Sequence, residues 1–308
     1  MLVALTGGTG GAKLIEGLSA EIDPAELTVI CNTADDCEFH GLSVSPDIDT
    51  IIYTLAGMID EEKGWGVQGD SFVVLEQLRR LGSEVWFKLG DKDLATHITR
   101  TQMLRAGHRL SEVTSRFCRT LGIGATVLPM SDDRIETRIA TPRGEISFQE
   151  FFVKQHWQPE VAGVRFVGAE SSRPAPGVVD AIERAAAIVI CPSNPVTSIG
   201  PMLAVPGIRA ALKKARAPIA AVSPLIGATA ISGPAHKLMR ALGRTPTALG
   251  VAEGYSDFLD TLVIAKEDQT MARAIEDLRI RAVWTDIRMA SREQKRRLAR
   301  EVLALVGK

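Results

Sequence analysis

The chain has 308 residues, of which 45% are hydrophobic and 24% are charged, so it carries enough apolar side chains to fill a compact core. Its 36 Lys and Arg residues nearly balance 37 Asp and Glu residues, and the formal charge of −1 argues against general binding to nucleic acid. The sequence contains neither a basic leader with an apolar stretch nor about 18 continuous apolar residues. We therefore expect a cytoplasmic protein that does not insert into membranes.

Short apolar runs, separated by helical patterns, predict a mostly parallel sheet with helices on both faces, a Rossmann-like α/β fold. The predicted strands are residues 2–5, 27–31, 84–88, 188–191, 219–222 and 261–265. The first five end in the loops TGGTGG, NTADD, LGDKD, PSNP and SPLIG. Ligands bind outside the carboxyl ends of strands in open α/β sheets, so these loops should converge on one crevice.

Two helices in the first half have legible ends. The stretch DSFVVLEQLRRLG predicts a helix capped by Asp70 or Ser71 and closed by Gly82. The stretch DLATHITRTQMLRAG predicts a second helix with Asp93 as its N-cap and Gly107 just past its end.

The sequence pattern changes after residue 123. RIETRIATPRGEISFQEFF indicates two alternating strands joined by a turn at residues 141–144, and SSRPAPG indicates a hinge back to the main sheet. We predict a Rossmann-like core made from residues 1–123 and 175–308, interrupted by a small inserted α+β domain, rich in strands, at residues 124–174.

The first loop, GGTGGAK, follows the first predicted strand directly and opens a helix. Glycines let the backbone approach phosphate oxygens, and a helix N-terminus offers unpaired N–H groups. We predict that this loop binds a diphosphate through Gly7, Gly8, Thr9, Gly10, Gly11 and Lys13. It is not a P-loop, because no Ser or Thr follows Lys13, and an ordinary tight turn is the alternative.

Four carboxylates, Asp35, Asp36, Asp47 and Asp49, follow the second predicted strand within fifteen residues. Such a group repels itself unless a cation or hydrogen-bond donors compensate, which favours a Mg²⁺ site. Mg²⁺ takes one or two carboxylates plus substrate phosphates, so not all four should be ligands. Alternatively, Asp47 or Asp49 caps the next helix and the other pair are turn residues.

Further polar candidates follow later predicted strands. Asp91, His97 and Arg100 lie in or just after LGDKD and could contact a substrate or phosphate, although a lone helical His is usually structural. The loop CPSNPVTSIGP offers Ser193, Asn194 and Ser198, which are able to contact a base or ribose, and a rigid turn is the alternative.

The four cysteines, Cys31, Cys37, Cys118 and Cys191, show neither paired spacing nor a zinc pattern. They are interpreted as reduced structural thiols.

At these motifs the chain closely resembles the 2-phospho-L-lactate transferase family of deazaflavin coenzyme F-420 biosynthesis. The resemblance spans the length through GGTGGAK, NTADDCEFHGLSVSPDIDTIIYTLAG, GDKDLATHITRTQMLRAG, LPMSDD, FQEFFV and CPSNPVTSIGPMLAVPGIR. It implies a Rossmann-like core with a smaller insert, a guanine nucleotide near the first loop and PSNP, Mg²⁺ dependence, a deazaflavin acceptor and a homodimer. The implied reaction has the ribitol hydroxyl of the deazaflavin attack the phosphorus beside a three-carbon acid and expel GMP.

From the chemistry of this reaction we assign residue roles. One or two of Asp35, Asp36 and Asp49 hold Mg²⁺, a remaining carboxylate orients or deprotonates the hydroxyl, and Lys13 or backbone N–H groups bind the diphosphate. Asp47, Asp91, His97 and Arg100 are assigned to substrate. The three-carbon acid could be 2-phospholactate, phosphoenolpyruvate or phosphoglycerate.

Two other classes fit less well. A related family of non-catalytic nucleotide-sugar-binding regulators shares the glycine opening, but a Gly-Gly-Ser-Ser-Gly run would be expected where CEFHG stands at residues 37–41. A dinucleotide oxidoreductase would carry an acid at the end of the second strand, where Cys31 and Asn32 stand.

Overall fold

A computed structural model describes residues 1–231 and 233–308. Its centre is a seven-stranded sheet in the order β14-β13-β10-β9-β1-β2-β5, in which every neighbouring pair is parallel. The strands are β1 Leu2–Thr6, β2 Leu27–Cys31, β3 Cys37–Phe39, β4 Leu42–Val44, β5 Thr126–Pro129, β6 Glu136–Thr141, β7 Gly144–Ser147, β8 Gly163–Val167, β9 Ala187–Ile190, β10 Ile219–Val222, β11 Leu225–Ile226, β12 Thr229–Ala230, β13 Thr261–Ala265 and β14 Arg281–Thr285.

Helices cover both faces of this sheet, which confirms the expected fold class. They are α1 Thr9–Ser19, α2 Pro46–Leu55, α3 Val73–Arg80, α4 Asp91–Arg105, α5 Leu110–Thr120, α6 Val178–Arg184, α7 Ile199–Ala204, α8 Ile208–Lys214, α9 Ala235–Ala241, α10 Ala248–Tyr255, α11 Ala272–Glu276 and α12 Arg292–Leu305. No helix in the described part of the chain is long and apolar enough to cross a bilayer.

Alternation along β1 creates two separate cores. Val3 and Leu5 face a core that includes residues of α6, α7 and α8, whereas Leu2 and Ala4 face one that includes α1, α2 and α12. Strands buried on both faces read as continuous apolar runs, which is why the sequence identified them.

The chain order places a topological switch point beside β1. From β1 the chain extends to β2 and β5 on one side, and later to β9, β10, β13 and β14 on the other. The loops after β1 and β9 therefore flank a crevice where doubly wound sheets bind ligands.

Three predicted strands, 27–31, 219–222 and 261–265, match β2, β10 and β13, and those at 2–5 and 188–191 correspond to β1 and β9 with shifted ends. The predicted strand at 84–88 is wrong, because that segment is irregular. Its Trp86 and Phe87 instead pack against a satellite cluster containing Phe39, Val44 and Leu89. The sequence interpretation missed β5, which pairs with β2, and β14, which forms the far edge.

The predicted turn at residues 141–144 joins β6 and β7, and β8 completes a three-stranded antiparallel sheet beside the main one. β5, which opens the proposed insert, belongs to the main sheet. The division of the chain into domains stays a prediction.

The helix ends predicted at Gly82 and Gly107 are confirmed, since both glycines are left-handed, with φ of +85° and +91°. The predicted N-caps are wrong. Asp70 accepts hydrogen bonds from the N–H groups of Lys92 (2.7 Å) and Asp93 (3.1 Å) at the start of α4. Asp91 accepts hydrogen bonds from the first N–H groups of α3. Asp70, which lies just before α3, therefore caps α4, and Asp91, the first residue of α4, caps α3.

Candidate active site

The glycine loop lies between β1 and α1, and its geometry requires small residues. A Cβ on Gly8 would lie 2.5 Å from Asp47 Oδ1, and one on Gly7 would overlap the Ser198 hydroxyl. A Cβ on Gly11 would overlap Thr6 Oγ1. Gly11 therefore permits close packing of α1 on β1, while Gly7 and Gly8 let the loop approach the opposite wall of the crevice.

The remaining residues of this loop lie within the first five residues of α1. Thr9 is exposed and its hydroxyl donates to the carbonyl of Gly64 at 3.1 Å. Gly10 and Lys13 are half-buried. The N-cap position of α1, at Gly8, has no side-chain partner among the described residues, so the first N–H groups of the helix are available to an anion.

The loop after β9 reaches the glycine loop directly. The N–H of Gly7 donates to Ser193 Oγ at 2.9 Å. Asn194 Oδ1 accepts from the backbone of Val196 (2.9 Å) and Thr197 (3.3 Å), which fixes the PSNP turn. The structure thus brings Ser193 and Ser198 together with the glycine loop, whereas the Asn194 side-chain oxygen is engaged in the turn.

The acidic loop lies across the crevice from the glycine loop. Asn32 Nδ2 donates to Asp47 Oδ2 at 3.0 Å, and Ser45 Oγ donates to Asp36 Oδ2 at 2.7 Å. The Oδ1 atoms of Asp35 and Asp36 are buried and have no hydrogen-bond partner in the described structure. Burying two carboxylate oxygens without hydrogen-bond donors is unfavourable, and a bound cation would compensate their charge.

The pKa values of these carboxyls follow from burial. Burial raises the pKa of Asp35 well above its ordinary value, and the nearby Asp47 raises it further. Burial also raises the pKa of Asp36 well above the ordinary value, although the Ser45 hydrogen bond opposes this. The pKa of Asp47 rises to about 6 because burial outweighs the hydrogen bond from Asn32.

Asp49 has a different environment from the other three carboxylates. It is buried in α2 and both of its oxygens accept from the guanidinium of Arg100 on α4, one at 3.0 Å and the other at closer range. Arg100 is only 1% exposed. This pair links α2 to α4 and engages the Asp49 oxygens that a metal would need.

His97 extends this buried network. Its Nδ1 lies 3.2 Å from Arg100 Nη1 and 3.7 Å from Asp49 Oδ2, while its Nε2 lies 3.2 Å from Asp93 Oδ2. Asp93 also accepts from the Tyr53 hydroxyl at 2.6 Å. Burial raises the pKa of Asp93, but hydrogen bonding and charge from His97 outweigh it, so the net shift is downward. His97 is therefore held between two carboxylates.

A cavity of about 640 Å³ lies between the glycine loop and the acidic loop, and Ser193, Asn194 and Ser198 are not among its lining residues. Its polar end includes Gly8, Thr9, Asp35, Asp47 and Asp49, with the buried network of His97 behind them. Asp91 does not line it, because Asp91 caps α3. Asp36 instead borders a smaller cavity of about 250 Å³, which Asp35 also lines.

The other end of the cavity is aromatic, which sequence reasoning missed. Seven of the fifteen aromatic residues (nine Phe, four Trp and two Tyr) line the cavity. They are Tyr53, Trp65, Trp86, Phe87, Phe148, Phe152 and Trp157. Tyr53 and Trp65 lie close to the polar end, because Tyr53 donates to Asp93 and Gly64, next to Trp65, accepts from Thr9. The other five, which pack on one another in two groups, form the aromatic end. Three of the four tryptophans of the chain belong to the set of seven, and their rarity was the signal that could have pointed to the site.

The cysteines offer no reactive group. All four are free thiols, and Cys31, Cys118 and Cys191 are buried. Burial raises the pKa of Cys37 and Cys191 to about 12 and that of Cys118 to about 11, so these thiols stay protonated near neutral pH.

Within the described residues, no group of three or more His, Cys, Asp or Glu side chains is arranged to hold a metal ion. A Mg²⁺ site built from one or two carboxylates and substrate phosphates does not need such a group. The unpartnered oxygen of Asp35, which lines the large cavity, therefore fits a bound cation whose remaining ligands come from the substrate, whereas Asp36 lines the smaller cavity.

Fold and site together define a Rossmann-like α/β protein whose ligand cavity opens at the carboxyl ends of its central strands. A protein of the UPF0052 family from Bacillus halodurans, known from a crystal structure, has this fold, with a TM-score of 0.67, 18% identity and coverage of 98% of both chains. The sequence matches the family described as 2-phospho-L-lactate transferase CofD over residues 2–303.

Similar proteins are named as transferases of two phosphorylated three-carbon acids. The chain is 43% identical to 2-phospho-L-lactate transferase of Methanosarcina acetivorans over 99% of this chain and 98% of that one. It is 44% identical to phosphoenolpyruvate transferase of Streptomyces griseus, with the same coverage of 99% and 98%. The chain belongs to the 2-phospho-L-lactate transferase CofD family and is a transferase, which confirms the resemblance.

Proposed function

We propose that this protein transfers a phosphorylated three-carbon acid from its guanosine diphosphate derivative to the ribitol hydroxyl of 7,8-didemethyl-8-hydroxy-5-deazariboflavin and releases GMP, in the biosynthesis of coenzyme F-420. The observation that carries the proposal is the two-ended cavity. The glycine loop and buried carboxylates line one part of it, and seven aromatic side chains line much of the remaining wall. The two ends match a diphosphate donor and a planar ring acceptor.

The donor diphosphate is assigned to the glycine loop. Gly7 and Gly8 keep this wall free of side chains, and the first N–H groups of α1 face the crevice without a capping side chain. Thr9, Gly10, Gly11 and Lys13 complete the predicted set. The guanosine is assigned to the adjoining loop after β9, where Ser193 already contacts Gly7 and Ser198 lies beside it.

The acidic loop is assigned to Mg²⁺. Asp35 fits best, because it is buried, lines the cavity and has an oxygen without a donor. Asp36, the next residue in the chain, would provide a second carboxylate. When bound, the ion would neutralise charge on the phosphoryl oxygens of the donor. Asp49 stays a candidate ligand, but its contacts with Arg100 favour a positioning role in which it fixes α2 and hence Asp47.

The hydroxyl of the acceptor must lose a proton as it attacks phosphorus. A carboxylate with a pKa near neutrality suits that task, since it can accept a proton at cellular pH. Asp47, whose pKa is raised to about 6 by burial, lies against Gly8 at the polar end. We assign Asp47 to orient or deprotonate the hydroxyl, and His97 and Arg100 to support this wall.

The deazaflavin ring is assigned to the aromatic end. Phe148 and Phe152 stack with centroids 5.4 Å apart, and Trp157 follows at 5.6 Å from Phe152. Trp86 and Phe87 form a second group. Aromatic faces of this kind stabilise planar ligands by offset stacking.

Relatives named for 2-phospho-L-lactate and for phosphoenolpyruvate match this chain almost equally well, at 43% and 44% identity. The experiment that tests the function therefore offers the protein Mg²⁺, the deazaflavin alcohol and each guanylated acid (lactyl, enolpyruvyl and glyceryl) separately. Mass spectrometry should show GMP and one phosphodiester product. Tight binding of the guanylated acids without any product would contradict the proposal and favour a non-catalytic binding protein.

Two further properties stay predictions. The expected homodimer would be checked by light scattering of the purified protein, and the cytoplasmic location by fractionation of cells that express it.

A further inference from the structure

An unusual turn lies beside the aromatic end of the cavity. His156 and Trp157 both have left-handed backbones, with φ of +48° and +51°. Among the described residues, only His40 and Arg279 are further non-glycine cases. Two consecutive left-handed residues with side chains are costly and persist only where their surroundings hold them, often at ligand sites.

A distant side chain holds this turn. The turn follows a short π-helix, Glu150–Lys154, and the N–H of Trp157 donates back to the carbonyl of Phe151 at 2.8 Å. From α9, some eighty residues later in the chain, Lys237 Nζ donates to the carbonyls of Trp157 (2.8 Å) and Gln158 (2.9 Å). Ammonium-to-carbonyl hydrogen bonds are stronger than neutral ones, so Lys237 stabilises the turn through the carbonyl groups of Trp157 and Gln158.

This turn positions one aromatic wall of the cavity, which consists of Phe148, Phe152 and Trp157. Trp157 packs on Phe152, which stacks on Phe148, and all three line the cavity. Gly233, two residues before α9, lies behind this wall: a Cβ there would meet Phe152 at 3.5 Å and Trp157 at 4.0 Å. The segment that carries Lys237 therefore runs close behind the wall and is joined to it by the hydrogen bonds of Lys237.

We propose that Lys237 is a positioning residue for the acceptor ring: it fixes the left-handed turn at His156 and Trp157 and thereby sets the distance between the aromatic wall and the bound planar ring. This inference rests on the proposed function. Lys237 does not line the cavity, so it acts through Trp157 and does not touch the donor.

The test compares Lys237→Met, which removes the ammonium, with Lys237→Arg, whose guanidinium can donate to both carbonyls. Arg240→Met, on the exposed side of α9, is the matched control. For each, the KM for the deazaflavin, the KM for the guanylated acid and the melting temperature are measured. Binding of the deazaflavin alone is followed by quenching of tryptophan fluorescence.

For Lys237→Met we expect the KM and the Kd for the deazaflavin to rise about fivefold, which is the loss of one modest hydrogen-bonding contribution. The KM for the guanylated acid should stay within about twofold. Lys237→Arg should recover most of the acceptor affinity, and Arg240→Met should match the wild type.

Unchanged acceptor binding in Lys237→Met would overturn the inference. A lower melting temperature with both KM values unchanged would also overturn it, because Lys237 would then be a structural brace. If the wild type neither binds the deazaflavin nor forms product, the proposed function fails and the inference fails with it. If the wild type binds the deazaflavin and forms product, and Lys237→Met binds the deazaflavin equally well, the inference fails while the proposed function stands.

Discussion

Replacing Asp49 with Asn should destabilise the protein, because Asp49 is the only described carboxylate hydrogen-bonded to the buried guanidinium of Arg100. Removing one partner of a buried ion pair leaves the other charge uncompensated and costs about 3–5 kcal/mol. For a chain of 308 residues, this corresponds to a decrease of about 5–8 °C in melting temperature.

Asp35→Asn should behave in the opposite way. Asp35 is buried with an unpartnered oxygen, and burial together with Asp47 raises its pKa. Its charge therefore opposes folding in the metal-free protein, and an uncharged amide should leave the melting temperature unchanged or higher. Turnover should nevertheless fall about a hundredfold or more, since the metal or the developing charge loses a stabilising group.

The assay pairs thermal unfolding with kcat for both variants, each with and without Mg²⁺. Asp257→Asn, at a partly exposed ion pair with Arg209, serves as a control and should change stability by less than about 1 kcal/mol. Wild-type turnover in Asp35→Asn together with a lower melting temperature would refute the metal-site reasoning. A stable Asp49→Asn variant would refute the role given to the buried pair.

Three further outcomes are expected. Gly8→Ala should push Asp47 aside, and Gly10→Val should prevent the backbone from approaching the diphosphate. In each folded variant, calorimetry should show that GDP binds about tenfold or more weakly. Unchanged GDP affinity would show that the loop is not part of the site. Cys37→Ser should keep most of the turnover. Iodoacetamide at pH 8 should modify the native thiols slowly, because their pKa values are raised. Loss of activity in a folded Cys37→Ser variant would instead indicate a mechanism that uses a thiol. Chelation of divalent ions with EDTA should abolish product formation and added Mg²⁺ should restore it, whereas full activity in EDTA would exclude the proposed cation.

Much of the fold could be predicted because buried parallel strands are locally encoded. β2, β10 and β13 are apolar on both faces and end in turn residues, so their limits could be identified from composition alone. The segment at residues 84–88, EVWFK, has a similar apolar centre but does not pair with a strand of the main sheet, and its Trp86 packs on the ring of Phe39 in the small hairpin. Local pattern cannot distinguish an aromatic run that enters a sheet from one that lines a cavity.

The candidate site could likewise be predicted only in part from the sequence. The glycine loop and the acidic loop follow strands directly, so topology brings them together at the switch point as expected. The roles of Asp49, Asp93 and His97 could not be read in this way. Asp49 pairs with a residue 51 positions away, and Asp93 pairs with Tyr53 across 40 positions. Such contacts depend on how α2 packs against α4, which spacing along the chain does not reveal.

The stretch CEFHG, which separated this chain from the non-catalytic regulators in the sequence, has a physical role in the site. Cys37–Phe39 and Leu42–Val44 form a hairpin whose two-residue loop is His40 and Gly41, both left-handed at +52° and +73°, as the tight turns of hairpins require. The turn presents the Phe39 ring to Trp86 at 5.2 Å and Phe87 at 5.6 Å. A Gly-Gly-Ser-Ser-Gly run has no ring to offer there, so Trp86 and Phe87 would lose their support on that side of the cavity. The solved structure of the UPF0052 family shares the fold at 18% identity, and fold alone does not decide function. Under the proposed function, we expect short segments such as this hairpin to separate a transferase from a binding protein, because the hairpin supports the aromatic side chains assigned to the planar acceptor.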